Sequence, residues 1–119
     1  MKRMFSVLVL SAAAGAMLFS LVPYAGAKTT ATTVKVTAKD TFRFVLSRRT
    51  APHGKVIFKV LNKGRLSHDF KIAGKKTKML KHNQTATLTV TLQKGKRYTY
   101  LCTVPGHAAA GMKGIFKAT

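Results

Sequence analysis

Thr85-Ala86-Thr87-Leu88-Thr89-Val90-Thr91-Leu92 alternates without a break, with Ala86, Leu88, Val90 and Leu92 on one side and four threonines on the other. Period two is the pattern of a strand that buries one face and shows the other to water. A helix would repeat its apolar residues three and four apart, and no stretch past residue 32 does so convincingly. The alternation recurs on both sides of this segment. Upstream, Val34 and Val36 alternate with Thr33, Lys35 and Thr37, and Phe42, Phe44 and Leu46 alternate with Arg43, Val45 and Ser47. Lys55–Leu61 and the short Asp69–Ile72 are further strands. Downstream, Tyr98, Tyr100 and Cys102 share a face of Arg97–Cys102, which points Cys102 inward, and Gly114–Ala118 closes the chain. Pro52 with Gly54, Asn62-Lys63-Gly64 and Lys94-Gly95-Lys96 mark loops and turns. Lys75–Gln84 is polar and irregular, with room for one helical turn between Thr77 and Thr85 and nothing longer. The pattern predicts an all-β domain, a Greek-key antiparallel β-sandwich of about seven to eight strands.

Not all of the 119 residues belong to that domain. Lys2 and Arg3 precede an uncharged stretch, Met4 to Ala27, which ends in Ala25-Gly26-Ala27. A positive start, an apolar run and small residues at the end make a secretory signal peptide over 1–27, cleaved before Lys28. An uncleaved membrane anchor is the alternative, but Ala, Gly and Ser dilute the stretch. The mature domain is then 28–119, extracytoplasmic (periplasm, cell surface or medium) and monomeric. The whole chain carries 22 Lys and Arg against two acids, Asp40 and Asp69, a net charge of +20. Such a field attracts acidic proteins and anionic membrane surfaces, while export argues against nucleic acid as a partner. Cys102 is the only cysteine, so no disulfide closes within the chain. A lone cysteine in an exported protein is a liability or an occupied ligand.

Four side chains carry the chemistry: His68, Cys102, His107 and Met112. Three fall in Cys102-Thr103-Val104-Pro105-Gly106-His107-Ala108-Ala109-Ala110-Gly111-Met112, and His68 follows the turn at Asn62–Gly64. One thiolate, two imidazoles and a distant thioether form a trigonal site with a weak axial ligand, which suits copper in electron transfer. Pro105-Gly106 bends the chain after Cys102 so that His107 returns, and the small residues up to Gly111 bring Met112 back. His68 must be supplied by the folded sandwich. His53 and His82 lie in loops and are expected at the surface, and Met79 is expected to fill core.

Phe58-Lys59-Val60-Leu61-Asn62-Lys63-Gly64, His68-Asp69-Phe70 and the run from Tyr98 to Gly114 resemble the cupredoxins of the plastocyanin/azurin family. The likeness spans 33–118, and the Cys-x4-His-x4-Met loop is most similar to rusticyanin- and auracyanin-type members. The resemblance implies one type 1 copper ion cycling between Cu(II) and Cu(I) in an eight-stranded or smaller sandwich. It carries the ligand roles onto His68, Cys102, His107 and Met112, the histidines through Nδ1. It also implies an electron exit through His107, in a patch of small uncharged residues that Leu66 can join. There the lysines would steer an acidic redox partner, a cytochrome or oxidase. Many family members have Asn or Ser where this chain has Asp69. Its N–H is placed to donate to the Cys102 sulfur and its carboxylate to accept from the Thr103 hydroxyl; otherwise it turns outward to the lysines. A charge so near the metal favours Cu(II).

The main rival is an extracytoplasmic copper chaperone or storage protein, which would hold its ion labilely among several surface Met and His residues. A polyanion- or lipid-binding protein would keep its function without Cys102. An enzyme is not expected. A Cys–His nucleophile would want an oxyanion-hole glycine motif and an orienting carboxylate. A histidine-brace oxygenase would need His where Lys28 stands.

Overall fold

A computed structural model describes Gly15 and residues 30–119. The expected signal peptide, over 1–27, therefore lies outside the described residues, Gly15 excepted. The described chain is all strand and turn, and the helical turn allowed between Thr77 and Thr85 is absent.

Nine strands make two sheets. The first, in the order β2-β1-β4-β7, consists of β1 (Thr32–Lys39), β2 (Arg43–Leu46), β4 (Gly54–Asn62) and β7 (Thr85–Leu92). The second has the order β3-β9-β8-β5-β6. Its members are β3 (Thr50–Ala51), β5 (Lys71–Ile72), β6 (Lys75–Lys76), β8 (Arg97–Leu101) and β9 (Lys113–Ala118). The sandwich is as expected, but two corrections apply. There are nine strands, because β3 and β6 are two-residue pieces inside segments that read as loop. The sheets are also mixed rather than purely antiparallel. β1 pairs in parallel with β4, Thr32 opposite Val56 through Ala38 opposite Asn62, and β3 pairs in parallel with β9. After β2 the chain crosses to the other sheet as β3, then returns as β4 along the free side of β1. That return fixes the direction of β4, whereas side-chain alternation fixes only its faces.

Alternation does place the core correctly. Val34, Val36 and Ala38 on β1, Val56, Phe58 and Val60 on β4, and Leu88, Val90 and Leu92 on β7 face inward and are buried. Opposite them stand Phe70, Ile72, Tyr100, Phe116 and Ala118, also buried. Phe70 is the hub. Its ring stacks on Tyr100 with centroids 5.6 Å apart and meets Phe44 edge-on at 5.2 Å and Phe58 at 5.3 Å. Burying one such side chain stabilises a fold by roughly 1.5–3 kcal/mol, and offset or edge contacts add about 0.5–1.5 kcal/mol per pair. Phe70 thus pins the segment that carries His68 and Asp69 to the centre of the core.

The two outward faces are basic. On the first sheet Lys35 stands opposite Lys59, beside a surface depression of about 420 Å³. β7 is an outer strand of that sheet. Of the strands longer than two residues it alone carries no charged side chain.

Candidate metal centre

Cys102 directly follows β8, on the inward face that Tyr100 also occupies, and both are buried. From there the chain folds into consecutive turns closed by backbone hydrogen bonds. The N–H of His107 donates to the Val104 carbonyl, that of Ala110 to Gly106, and that of Gly111 to Ala108, each at 3.0 Å. The loop then closes on itself: Met112 N–H donates to the His107 carbonyl at 3.0 Å, and Cys102 N–H to the Met112 carbonyl at 3.1 Å. Arg43 secures the outside, donating from one guanidinium nitrogen to the carbonyls of Phe42 and Ala110. Met112 is fully buried.

His68 comes from the other direction. It exchanges backbone hydrogen bonds with Leu80, 3.0 Å from His68 N–H and 2.8 Å back. The fully buried Asn62 holds the loop before it. Its amide donates to the carbonyls of Leu66 at 2.8 Å and Leu80 at 2.7 Å, and its carbonyl accepts the Gly64 N–H at 2.9 Å.

These supports bring three donor atoms to one point. His68 Nδ1 and His107 Nδ1 are 3.2 Å apart, and the Cys102 sulfur is 4.0 Å from the first and 3.6 Å from the second. A point equidistant from the three lies about 2.1 Å from each, and nitrogen and sulfur bonds to a comparable first-row ion run about 2.0–2.3 Å. The donor set therefore fits a first-row ion, and soft thiolate with imidazole suits copper.

The electrostatics follow from burial. Desolvation pushes the Cys102 thiol above its ordinary pKa, and the nearby Asp69 carboxylate pushes the same way. Hydrogen bonds from the N–H groups of Asp69 and Val104 to the sulfur oppose this by favouring thiolate. Burial, and then the proximity of His68, lower the pKa of His107 and favour its neutral ring, against the opposing pull of Asp40 and Asp69. Cys102 as thiolate and the Nδ1 lone pairs of His68 and His107 would hold a metal ion here.

A profile of copper-binding proteins of the plastocyanin/azurin family matches residues 11–118. The chain belongs to this family. Copper is the ion of the family, in keeping with the donor set. Three solved cupredoxin structures superpose on the domain. Auracyanin from the photosynthetic bacterium Roseiflexus castenholzii, reduced with Na-dithionite, does so with a TM-score of 0.66 and 21% identity, over 74% of this chain and 97% of that one. Auracyanin A, a blue copper protein of Chloroflexus aurantiacus, gives 0.63 and 17% over 76% and 100% of the two chains. Azurin from the methylotroph Methylomonas sp. strain J gives 0.60 and 18% over 74% and 98%. At such identities the likeness is one of fold. Comparison with curated protein sequences finds no match.

The structure brings His68, Cys102 and His107 together, and Met112 is tied to the last two through backbone hydrogen bonds. Asp69 also behaves as expected toward Thr103. Its carboxylate accepts the Thr103 hydroxyl and, at 2.6 Å, the Thr103 N–H. It does not turn out to the lysines, since the residue is only 2% exposed. His53 and His82 are at the surface, their rings bonded to the carbonyls of Thr119 and Gly64. Met79 is a correction: it is 47% exposed and fills no core.

Two residues of the site went unread. Asp40, in the turn between β1 and β2, places Oδ1 2.9 Å from His68 Nε2. It also accepts the N–H groups of Arg65 at 2.6 Å and Leu66 at 3.2 Å. The His68 hydrogen bond, first, and these two N–H groups hold its pKa below the usual carboxylate range. Phe42 leaves the strand alternation. Its φ is +57°, and its ring packs edge-on against His107 with centroids 5.0 Å apart. The one signal in the sequence was scarcity: two acids in a chain this basic each need a reason.

Proposed function

We propose that the chain is an exported type 1 copper protein that carries single electrons, with His68, Cys102, His107 and Met112 as ligands of one copper ion. The observation that supports this most is the meeting of one buried sulfur and two Nδ1 atoms, all within 4.8 Å of one another. Bound there, copper supplies a one-electron Cu(II)/Cu(I) couple. The chain's own residues do the rest. Cys102 gives the thiolate, while Asp69 and Val104 fix that sulfur with N–H bonds. The backbone bonds joining Cys102, His107 and Met112 hold the frame, so little need rearrange when the charge changes. Electrons would pass at the His107 end, where Pro105, Gly106, Ala109 and Ala110 are exposed and Leu66 is 47% exposed.

Arg43 reaches the Ala110 carbonyl and Arg65 adjoins Leu66 on a strongly basic chain, which suits an acidic redox protein and an association rate that salt slows. The leader over 1–27 supports an extracytoplasmic location. The chaperone or storage reading is opposed by the burial of Cys102 and Met112, which suits a retained ion.

The test is to add Cu(II) to the purified, metal-free protein and to its Cys102→Ser variant. An intense blue thiolate-to-copper band is expected in the first only, bleached by reductant and restored by oxidant. A colourless product would overturn the carrier reading and favour copper handling.

A further inference from the structure

Asp40 donates nothing to the three-atom cluster, yet the fold directs its carboxylate onto His68. We propose that Asp40 is the positioning residue of the metal centre: it holds the His68 proton on Nε2 and supplies negative charge that favours Cu(II) over Cu(I). This rests on the copper reading above.

The contact sets the tautomer of His68. A neutral imidazole carries one proton, and a carboxylate oxygen 2.9 Å from Nε2 accepts it there. Nδ1 is left with its lone pair, facing His107 Nδ1 and the Cys102 sulfur. Such an acceptor on the far side of a metal-binding imidazole also raises its basicity as a ligand.

The carboxylate is also fixed. The Arg65 and Leu66 N–H groups hold its two oxygens, and Gly64 leaves the space it fills. A Cβ at Gly64 would stand 2.0 Å from Oδ1, so only glycine admits the carboxylate at this place.

The chain is also short of acids. It has two, and both are at the metal centre: Asp40 on His68, Asp69 on the turn after Cys102. The remaining charged groups of residues 28–119 are 20 cations, the 22 of the whole sequence less Lys2 and Arg3, and they disfavour the more highly charged ion. A unit charge roughly 7 Å from the centre of the donor triangle, partly open to water and so at an effective dielectric of about 40–80, shifts the Cu(II)/Cu(I) affinity ratio roughly three- to sevenfold.

Two variants separate this role from simple bracing of the turn. Asp40→Asn keeps an acceptor oxygen and removes the charge; Gly64→Ala keeps the charge and drives the carboxylate off His68. Asp40→Asn is expected to retain the blue band and lower the Cu(II)/Cu(I) affinity ratio roughly three- to sevenfold, a potential rise of about 28–50 mV; Gly64→Ala, which displaces the charge without removing it, is expected to shift the ratio the same way by less. A bracing role alone would lower the unfolding midpoint and leave the potential in place. Nitrogen NMR of the metal-free protein gives an independent reading: His68 protonated on Nε2 in the wild type and in Asp40→Asn, whose amide oxygen still accepts, and mixed in Gly64→Ala. An unchanged potential in a blue Asp40→Asn protein, or a wild-type His68 protonated on Nδ1, would overturn the proposal. If the wild type shows no thiolate-to-copper band, the copper reading fails instead, and the tautomer alone decides what Asp40 does.

Discussion

Asn62→Ala tests how the fold positions His68. The amide is fully buried and makes three hydrogen bonds within the turn and across to the Leu80 segment. Alanine leaves the Gly64 N–H buried without its partner, at a cost of about 1–3 kcal/mol. The Leu80 carbonyl keeps the His68 N–H, so losing its second donor costs about 1 kcal/mol. Leu66 is half exposed, and water can replace the amide at its carbonyl for a few tenths of a kcal/mol. The expected loss is about 3 kcal/mol, a large share of the roughly 5–15 kcal/mol that stabilises a domain of this size. It corresponds to a fall in Tm of roughly 12–24 °C. Urea unfolding of the metal-free protein, followed by tyrosine fluorescence and circular dichroism, measures it directly. Asn62→Asp, which retains acceptors but no donors, should fall at least as far because it buries a charge. A loss below about 1 kcal/mol would show that water or backbone movement satisfies these groups, and that His68 is positioned by Phe70 and Leu80 without Asn62.

Other expectations follow from the same geometry. Gly114→Ala puts a Cβ 2.2 Å from the Tyr100 hydroxyl oxygen and 2.4 Å from its ring. Because Tyr100 is stacked on Phe70 the ring has little room to yield, and a loss of about 1–3 kcal/mol in thermal unfolding is expected. The metal-free protein should be most stable between about pH 6.5 and 8.5. Burial lowers His107, so the unfolded chain takes up that proton first and stability falls as the pH drops through the histidine range. Burial raises Cys102, so the unfolded thiol ionises first and stability falls as the pH rises past the thiol range. Denaturation midpoints across this range check both limbs, and Cys102→Ser should abolish the alkaline one alone; a flat profile would contradict both shifts. Saturating copper should raise the unfolding free energy by about 4 kcal/mol at a thousand times its Kd, and a chelator should reverse the gain.

Much of this was legible in the sequence because it is local. The faces of β1, β4 and β7 follow from alternation, and the ligand loop reads from one run between Cys102 and Met112. What was not legible depends on residues far apart. β3 is two residues long and exists only because β9, more than sixty residues later, lies beside it. Asp40 reaches His68 across 28 positions with no local pattern to announce it. Phe42 has the right spacing to continue β2, but the turn that presents Asp40 takes it to positive φ and onto His107. Tertiary contact overrode periodicity at the metal centre, while periodicity held in the core.

The uncharged outer strand β7 has a consequence for how this protein behaves in solution. Edge strands are commonly guarded by a lysine or a proline, which β7 lacks. The guard is collective instead. Two copies approaching edge to edge must first bring two strongly positive bodies together, and that repulsion acts over roughly one Debye length, about 8–10 Å in ordinary salt. Concentrated electrolyte or a bound polyanion removes this guard without altering a residue. Ionic surroundings, more than the side chains of the strand, determine when its edge becomes adhesive.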